Sequence, residues 1–344
     1  MSKSFGLSVY VSAFKQQRRL LDTLKGQQIP IFTSLHIGEE VTESYVKEVE
    51  DMCQWLHRNE FYIIADVSPL TLNRFNEPSL ASLVKRLHID NLRLDFGFQE
   101  KDLMNLEDID VTYNASTIGS EMPQQSGALY MHNFYPRPET GLDADLFNQL
   151  NKQVKEAGGQ TLAFISGDEI KRGPLNEGLP TLEAHRYVAP YAQFIDLVKT
   201  YKLDSIFVGD SLISPYQLEL ILTYLDDGII RLPVDFTEAN KTLLNKPFTV
   251  RVDSPKGLIR VQESRQYAQP GKHIAPTDTT SRPRGTITMD NERYKRYSGE
   301  VQVMRHDYPA DERVNVIGQL AKEYLPLLDN LKNGEPFIFI PAKP

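Results

Sequence analysis

Eight short apolar runs, all but the fifth followed by a stretch with helical spacing, succeed one another between residues 5 and 225. The runs are FGLSVYV (5–11), IPIFTSLHI (29–37), FYIIADV (61–67), NLRLDFGF (91–98), DVTYNAS (110–116), ALYMHNF (128–134), QTLAFIS (160–166) and SIFVGD (205–210). Near-continuous apolar character, clearest in FYIIADV, marks a strand covered on both faces, as in a parallel sheet. The segments between predict helices over 12–26, 42–58, 78–87, 101–106, 143–157, 190–201 and 215–225. In 42–58, Tyr45, Val46, Val49, Met52, Cys53 and Leu56 form an apolar stripe, and Thr42 is the expected N-cap. This rhythm matches an α/β fold of the (β/α)8 TIM-barrel type. The competing doubly wound sheet lacks a GxGxxG after its first strand, so the dinucleotide-binding version has no support.

After Gly228 the texture changes. IIRLPVDF (229–236), PFTVRVD (247–253), GLIRVQES (257–264), GTITMDN (285–291) and SGEVQVMRHDY (298–308) alternate apolar with polar residues at the period of antiparallel strands. A helix over 311–331 and a last strand, PFIFIPA, are expected to follow. The organisation read from this is a barrel over residues 1–229 and a smaller β-rich domain over 230–344. The loop 269–285, rich in Pro, Gly and Thr, is read as mobile or as a lid.

In barrels of this kind, chemistry sits at the C-terminal strand ends. Those ends carry Asp66, Asp95, Asn114, His132, Asn133, Asp168 and Asp210. Any one carboxylate could be a helix N-cap, Asp168 and Asp210 most readily. Taken together they point to a polar mouth. After the sixth run, HNFYPRPETGL places His132, Asn133, Tyr135, Arg137, Glu139 and Thr140 within nine positions, stiffened by Pro136 and Pro138. After the seventh, SGDEIKRGPLNEGLPTLEAHR (166–186) brings Arg172, Glu177, Glu183 and His185 in a connection longer than usual between strand and helix. A guanidinium at Arg172 beside Gly173 suits a phosphate monoester. The plain alternatives are a structural turn and a salt-bridged surface excursion.

Other chemistries find less footing. A formal net charge of −8 speaks against nucleic acid as a partner. The single cysteine, Cys53, excludes an internal disulfide and reads as a core residue. No HxH or HExxH supports a metal, no GxSxG supports a serine hydrolase, and no cofactor motif is present. No segment has the length of a membrane span, and the N-terminal stretch lacks a signal peptide's apolar run, so a cytoplasmic protein is expected. Oligomeric state is not legible. A pair of carboxylates cutting a glycosidic bond fits what is left, with Asp95 and Asp168 as the pair and acid and base not distinguished. Two readings from other classes stay open: a non-catalytic sugar-phosphate binding or regulatory protein, and a metal-dependent sugar-phosphate isomerase or aldolase. An aldolase of the Schiff-base kind lacks a lysine at any strand end.

LRLDFGF (92–98), HNFYPRPETGL (132–142), RGPLNEGLPTLEAHR (172–186) and VGD (208–210) together resemble a bacterial family of 6-phospho-N-acetylmuramidases, formerly labelled outer surface proteins or domains of unknown function. The resemblance implies a TIM-barrel enzyme with a smaller cyclophilin-like C-terminal domain. It also implies cleavage of N-acetylmuramic acid 6-phosphate from GlcNAc in phosphorylated cell-wall disaccharides, in the cytoplasm, as part of muropeptide recycling.

Overall fold

The structure is a computed structural model that describes residues 4–35, 42–94, 98, 106, 109–117, 127–265 and 271–342. Its first eight strands are β1 (Ser4–Ser8), β2 (Pro30–Ser34), β3 (Tyr62–Val67), β4 (Asn91–Leu94), β5 (Asp110–Asn114), β6 (Leu129–Met131), β7 (Gln160–Ile165) and β8 (Ser205–Val208). They pair in parallel, in chain order, and β8 returns to β1, so the sheet closes into a barrel without free edges. Phe32, Ile64, Met131, Leu162, Phe164 and Phe207, from five strands, pack on one another. Side chains of non-adjacent strands can meet only inside the barrel, so this cluster fixes which residues point inward. Gly6 completes the packing: a Cβ there would lie 2.3 Å from the Phe207 ring and 2.8 Å from the Pro30 carbonyl oxygen.

The helices α1 (Phe14–Thr23), α2 (Tyr45–Arg58), α3 (Pro69–Phe75), α4 (Leu80–Leu87) and α5 (Ala144–Glu156) fall between these strands. In α2 the buried residues are Tyr45, Val49, Met52, Cys53 and Leu56, the predicted apolar stripe except for Val46, which is half-buried. Burial pushes the Cys53 thiol up to about 12, which leaves it an inert core group. Ser44 rather than Thr42 is the N-cap residue of α2, and its hydroxyl turns to Glu48 at 2.7 Å. Helix α3 was not anticipated; it starts with Pro69 at N1 and a reciprocal pair of bonds between Ser68 and Thr71. Residues 36–37, 95–97 and 101–105, parts of two expected strands and one expected helix, lie outside the described residues.

The chain divides into two compact units, Met1–Pro190 with Tyr201–Ser214, and Tyr191–Thr200 with Pro215–Pro344. The second holds most of α6 (Pro190–Lys199), all of α7 (Pro215–Asp227), and a sheet of β9 (Ile230–Phe236), β10 (Pro247–Thr249), β11 (Leu258–Arg260), β12 (Thr286–Asp290), β13 (Val301–Met304), β14 (Val314–Leu320) and β15 (Pro336–Pro341). The order is β10-β15-β9-β14-β12-β13-β11, antiparallel except for the β9–β15 pair. The helix expected over 311–331 is mostly absent. Val314–Leu320 is a central strand and only Leu327–Asn330 (α8) is α-helical. Val314, Val316 and Ile317 are β-branched, and Gly318 leaves room for Phe236, whose ring atom would lie 2.7 Å from a Cβ. From residue 271 the loop read as a lid is bonded down, with Asn315 donating to the Ala275 carbonyl at 2.8 Å and Val316 N–H to that of Asp278 at 3.1 Å. Residues 269–270 lie outside the described residues.

Gly6→Ala should overfill the barrel interior and cost about 1–3 kcal/mol. Thermal unfolding will show this as a drop of several degrees, and an unchanged midpoint would mean that Phe207 has room to move.

Candidate active site

Alternation from the interior cluster points Ser34, Asp66, Arg93, Asn114 and Ser166 inward at the C-terminal end of the barrel. Asp66 and Arg93 are register partners on β3 and β4 and are both buried. Arg93 Nη1 donates to Asp66 Oδ1 at 2.7 Å, and Ser34 Oγ donates to Asp66 Oδ2 at 3.3 Å. Arg93 Nη2 reaches across to Asn133 Oδ1 at 2.5 Å, where Asn114 Nδ2 also donates at 3.1 Å. One guanidinium thus ties β3, β4 and the end of β6 into a single polar floor. Charge-assisted bonds of this kind are the strong ones, and the buried pair is stable only because both partners are present.

The floor continues behind the barrel. Asn133 N–H donates to Ser116 Oγ at 2.8 Å, Ser116 Oγ lies 3.3 Å from His132 Nδ1, and His132 Nε2 lies 3.1 Å from Asn151 Oδ1 on α5. The donors sort themselves. Asn151 Oδ1 can only accept, so Nε2 carries the proton, Nδ1 accepts, and the Ser116 hydroxyl donates to it while accepting from Asn133. His132 is fully buried, and its ring centroid lies 4.6 Å from that of Phe147. Burial lowers its pKa to about 4, with the Arg93 charge adding to this and the Asn151 bond opposing it. His132 was expected to face the mouth. It is the outward neighbour of two inward positions, and it packs between β6 and α5.

Two expected ligand-binding carboxylates, Asp210 and Glu183, serve the backbone instead. Asp210 is buried and accepts from the N–H groups of Gly167, Arg172 and Leu179 at 2.8, 2.9 and 3.1 Å, which shapes the loop after β7. Burial pushes its pKa up against the pull of those three bonds. Glu183 accepts from Glu139 and Gly141 N–H, both at 2.9 Å, and from Arg186 Nε at 2.6 Å and Nη2 at 2.7 Å. The Arg186 guanidinium, with the loop amides, holds the Glu183 carboxyl down at about 2. Arg186 also donates to the carbonyls of Tyr135, Arg137, Glu177 and Gly178 at 3.0–3.4 Å. The two loops singled out in the sequence are therefore clasped together by one ion pair. Gly141 is required there, since a Cβ would lie 2.6 Å from the Glu183 nitrogen.

His185 is buried, with its N–H on the Leu182 carbonyl at 3.1 Å. Glu177 Oε2 accepts from Tyr187 OH at 2.9 Å. Arg172 lies with its guanidinium carbon 4.2 Å from the centroid of the Tyr10 ring, two residues beyond β1. Asp168 has both oxygens on Ser214, one on the N–H at 2.7 Å and one on the hydroxyl at 2.8 Å. Arg137 is exposed, its side chain without a hydrogen-bond partner among the described residues. Asp95 lies outside the described residues. The sequence reading passed over Arg93 and Ser116, and left Arg186 out of the site. An arginine between two leucines inside a strand is the signal that could have found the first. Among the described residues, no group of His, Cys, Asp or Glu is placed to hold a metal ion, and no helix is long and apolar enough to cross a membrane.

Fold and site define a TIM-barrel protein with a polar, charge-bearing mouth and an appended β-sheet unit. Residues 5–222 match the family model of the 6-phospho-N-acetylmuramidase N-terminal part and residues 230–340 that of the C-terminal part. The chain belongs to this 6-phospho-N-acetylmuramidase family. It is similar to a conserved Enterococcus faecalis protein of unknown function, at 31% identity and a TM-score of 0.82, with 98% of this chain and 96% of that chain covered. It is also similar to an uncharacterized B. cereus protein, at 27% identity and a TM-score of 0.74, covering 99% of this chain and 100% of that one. No curated protein matches it.

Two measurements check this wiring. The folded His132 value of about 4 lies below the ordinary 6.5, so the stability it allows is full above pH 6.5 and is lost as pH falls towards 4. The loss should reach about 3 kcal/mol in denaturant titrations, and His132→Gln should flatten that slope. Arg186→Lys, which replaces a fork by a point charge, should cost about 2–4 kcal/mol and expose the Glu139 and Gly141 amides to hydrogen exchange.

Proposed function

We propose that the protein hydrolyses the glycosidic bond between N-acetylmuramic acid 6-phosphate and GlcNAc in phosphorylated cell-wall disaccharides, in the cytoplasm, as a step of muropeptide recycling. The observation that carries this is the match to the 6-phospho-N-acetylmuramidase family over both parts of the chain. The site chemistry supports it. Glycoside hydrolysis needs one carboxyl to protonate the departing oxygen and a second to attack the anomeric carbon or to activate water. The C–O bond breaks, water supplies OH to the anomeric carbon and H to the leaving group, and two free sugars result.

Asp95 and Asp168 are the proposed pair. Asp95 stands two residues beyond Arg93 in the chain. Ser214 fixes the plane of the Asp168 carboxylate, and each of its oxygens keeps a lone pair for a second partner. The proposed sugar contacts are Asn114, Asn133 and Tyr135, with Arg137 and Arg172 towards the anionic groups. Asp66 acts one step back, by holding Arg93 and through it Asn133.

The test is incubation with N-acetylmuramic acid 6-phosphate–GlcNAc and with its unphosphorylated counterpart, reading released GlcNAc. Turnover of the phosphorylated disaccharide is expected. Turnover of the unphosphorylated one alone would overturn the phosphate assignment, and no turnover of either would overturn the hydrolase. Asp95→Asn and Asp168→Asn should each lower kcat by about 10²–10⁴-fold with far-UV circular dichroism unchanged. Full activity in either variant removes that residue from the pair.

A further inference from the structure

One residue beside the clasp is placed against the ordinary rules of folding. Tyr187 is 68% exposed, so its ring contributes little to packing, and its φ is +65°. A bulky aromatic in the left-handed region is a backbone outlier; glycine or asparagine suits that position far better. Strain of this kind persists where the surroundings enforce it and where the side chain is needed for something else.

The surroundings do enforce it. Arg186, the preceding residue, is the buried clasp, with its guanidinium on the carbonyls of Tyr135 and Arg137. The Tyr187 hydroxyl donates to Glu177 Oε2 at 2.9 Å, and Lys171 Nζ sits 5.7 Å from the ring centroid. The ring is thus held rigid on the strand-seven loop, where that loop is fastened to the strand-six loop. Lys171 lies over one face of the ring, which leaves the other face for a pyranose whose anionic substituent reaches past the ring edge to the ammonium. The sugar's C–H face lies on the ring, and the ammonium meets the anion.

We propose that Tyr187 is a sugar platform, a specificity-determining residue that stacks on the pyranose ring of the phosphorylated substrate, with Lys171 directed to its anionic substituent. The identity of the substrate rests on the proposed hydrolase reading, whereas the platform itself needs only an anionic pyranose.

Two experiments on the full chain separate these. In steady-state kinetics on the phosphorylated disaccharide, Tyr187→Gly should raise KM at least tenfold, leave kcat within about threefold, and keep or raise the thermal midpoint. Tyr187→Phe should keep a KM close to the parent's. A lower midpoint with unchanged KM in Tyr187→Gly would mark a purely structural tyrosine and end the proposal. In the second, the fluorescence of Tyr187→Trp is followed on adding N-acetylglucosamine 6-phosphate or N-acetylglucosamine; the only native tryptophan is Trp55. The phosphate form should quench emission at a concentration at least tenfold lower than the neutral sugar, and Lys171→Met in that background should narrow the gap. No response to either sugar overturns the platform, and a response in a chain that shows no turnover supports the platform while overturning only the hydrolase.

Discussion

A guanidinium withdrawn from water must find an acceptor for every donor direction, and the arrangement around Arg186 follows from that demand. Its side chain is 2% exposed, and its N–H groups are spread over Glu183 and the carbonyls of four other residues. Such a charge is tolerable only while the whole set is assembled, so the loops after β6 and β7 take shape together or not at all. Glu183 extends the constraint by accepting amides from the far end of the strand-six loop. The prolines stiffen a path that the ion pair has already chosen.

Inside the mouth a second guanidinium plays a related part in a different geometry. Arg93 joins strands that are not all neighbours, since Asp66 lies on β3 and Asn133 beyond β6. Behind it, the bonds through Ser116 and His132 to Asn151 carry no net charge, because the buried imidazole stays neutral. A positive imidazole there would face Arg93 across a medium that screens poorly. With His132 neutral, the buried Arg93–Asp66 pair has no second positive charge behind it.

Much of this was legible in the residues. FYIIADV and QTLAFIS read as buried parallel strands because a barrel strand has no solvent face, and both are strands. Residues 311–331 depart from the expected helix because Val314, Val316 and Ile317 are β-branched and favour the strand Val314–Leu320. The candidate site residues are legible as a group, and the direction each side chain takes is not. Strand ends do carry the polar groups, yet parity turns His132 away from the mouth. Asp210 and Glu183 are spent on peptide N–H groups that no one-dimensional pattern reveals. Arg93 was missed for the converse reason: flanked by leucines, it read as part of a core run. Which partner a polar side chain meets depends on strands far apart in the chain, and the sequence shows only that a polar side chain is present.

The clasp around Arg186 and Glu183 reads peptide groups and hardly any side chains of the strand-six loop. Its contacts there are the carbonyls of Tyr135 and Arg137 and the amides of Glu139 and Gly141. The loop's outward side chains are therefore decoupled from the frame that holds them. Exchanges at Arg137 alter what the rim presents without reopening the question of how the rim is built, whereas Thr140 belongs to the frame, since its hydroxyl donates to the Arg137 carbonyl at 2.6 Å. A descendant lineage could retune its preferred ligand there by single substitutions, so this loop is where divergence in ligand preference within the family should be looked for first.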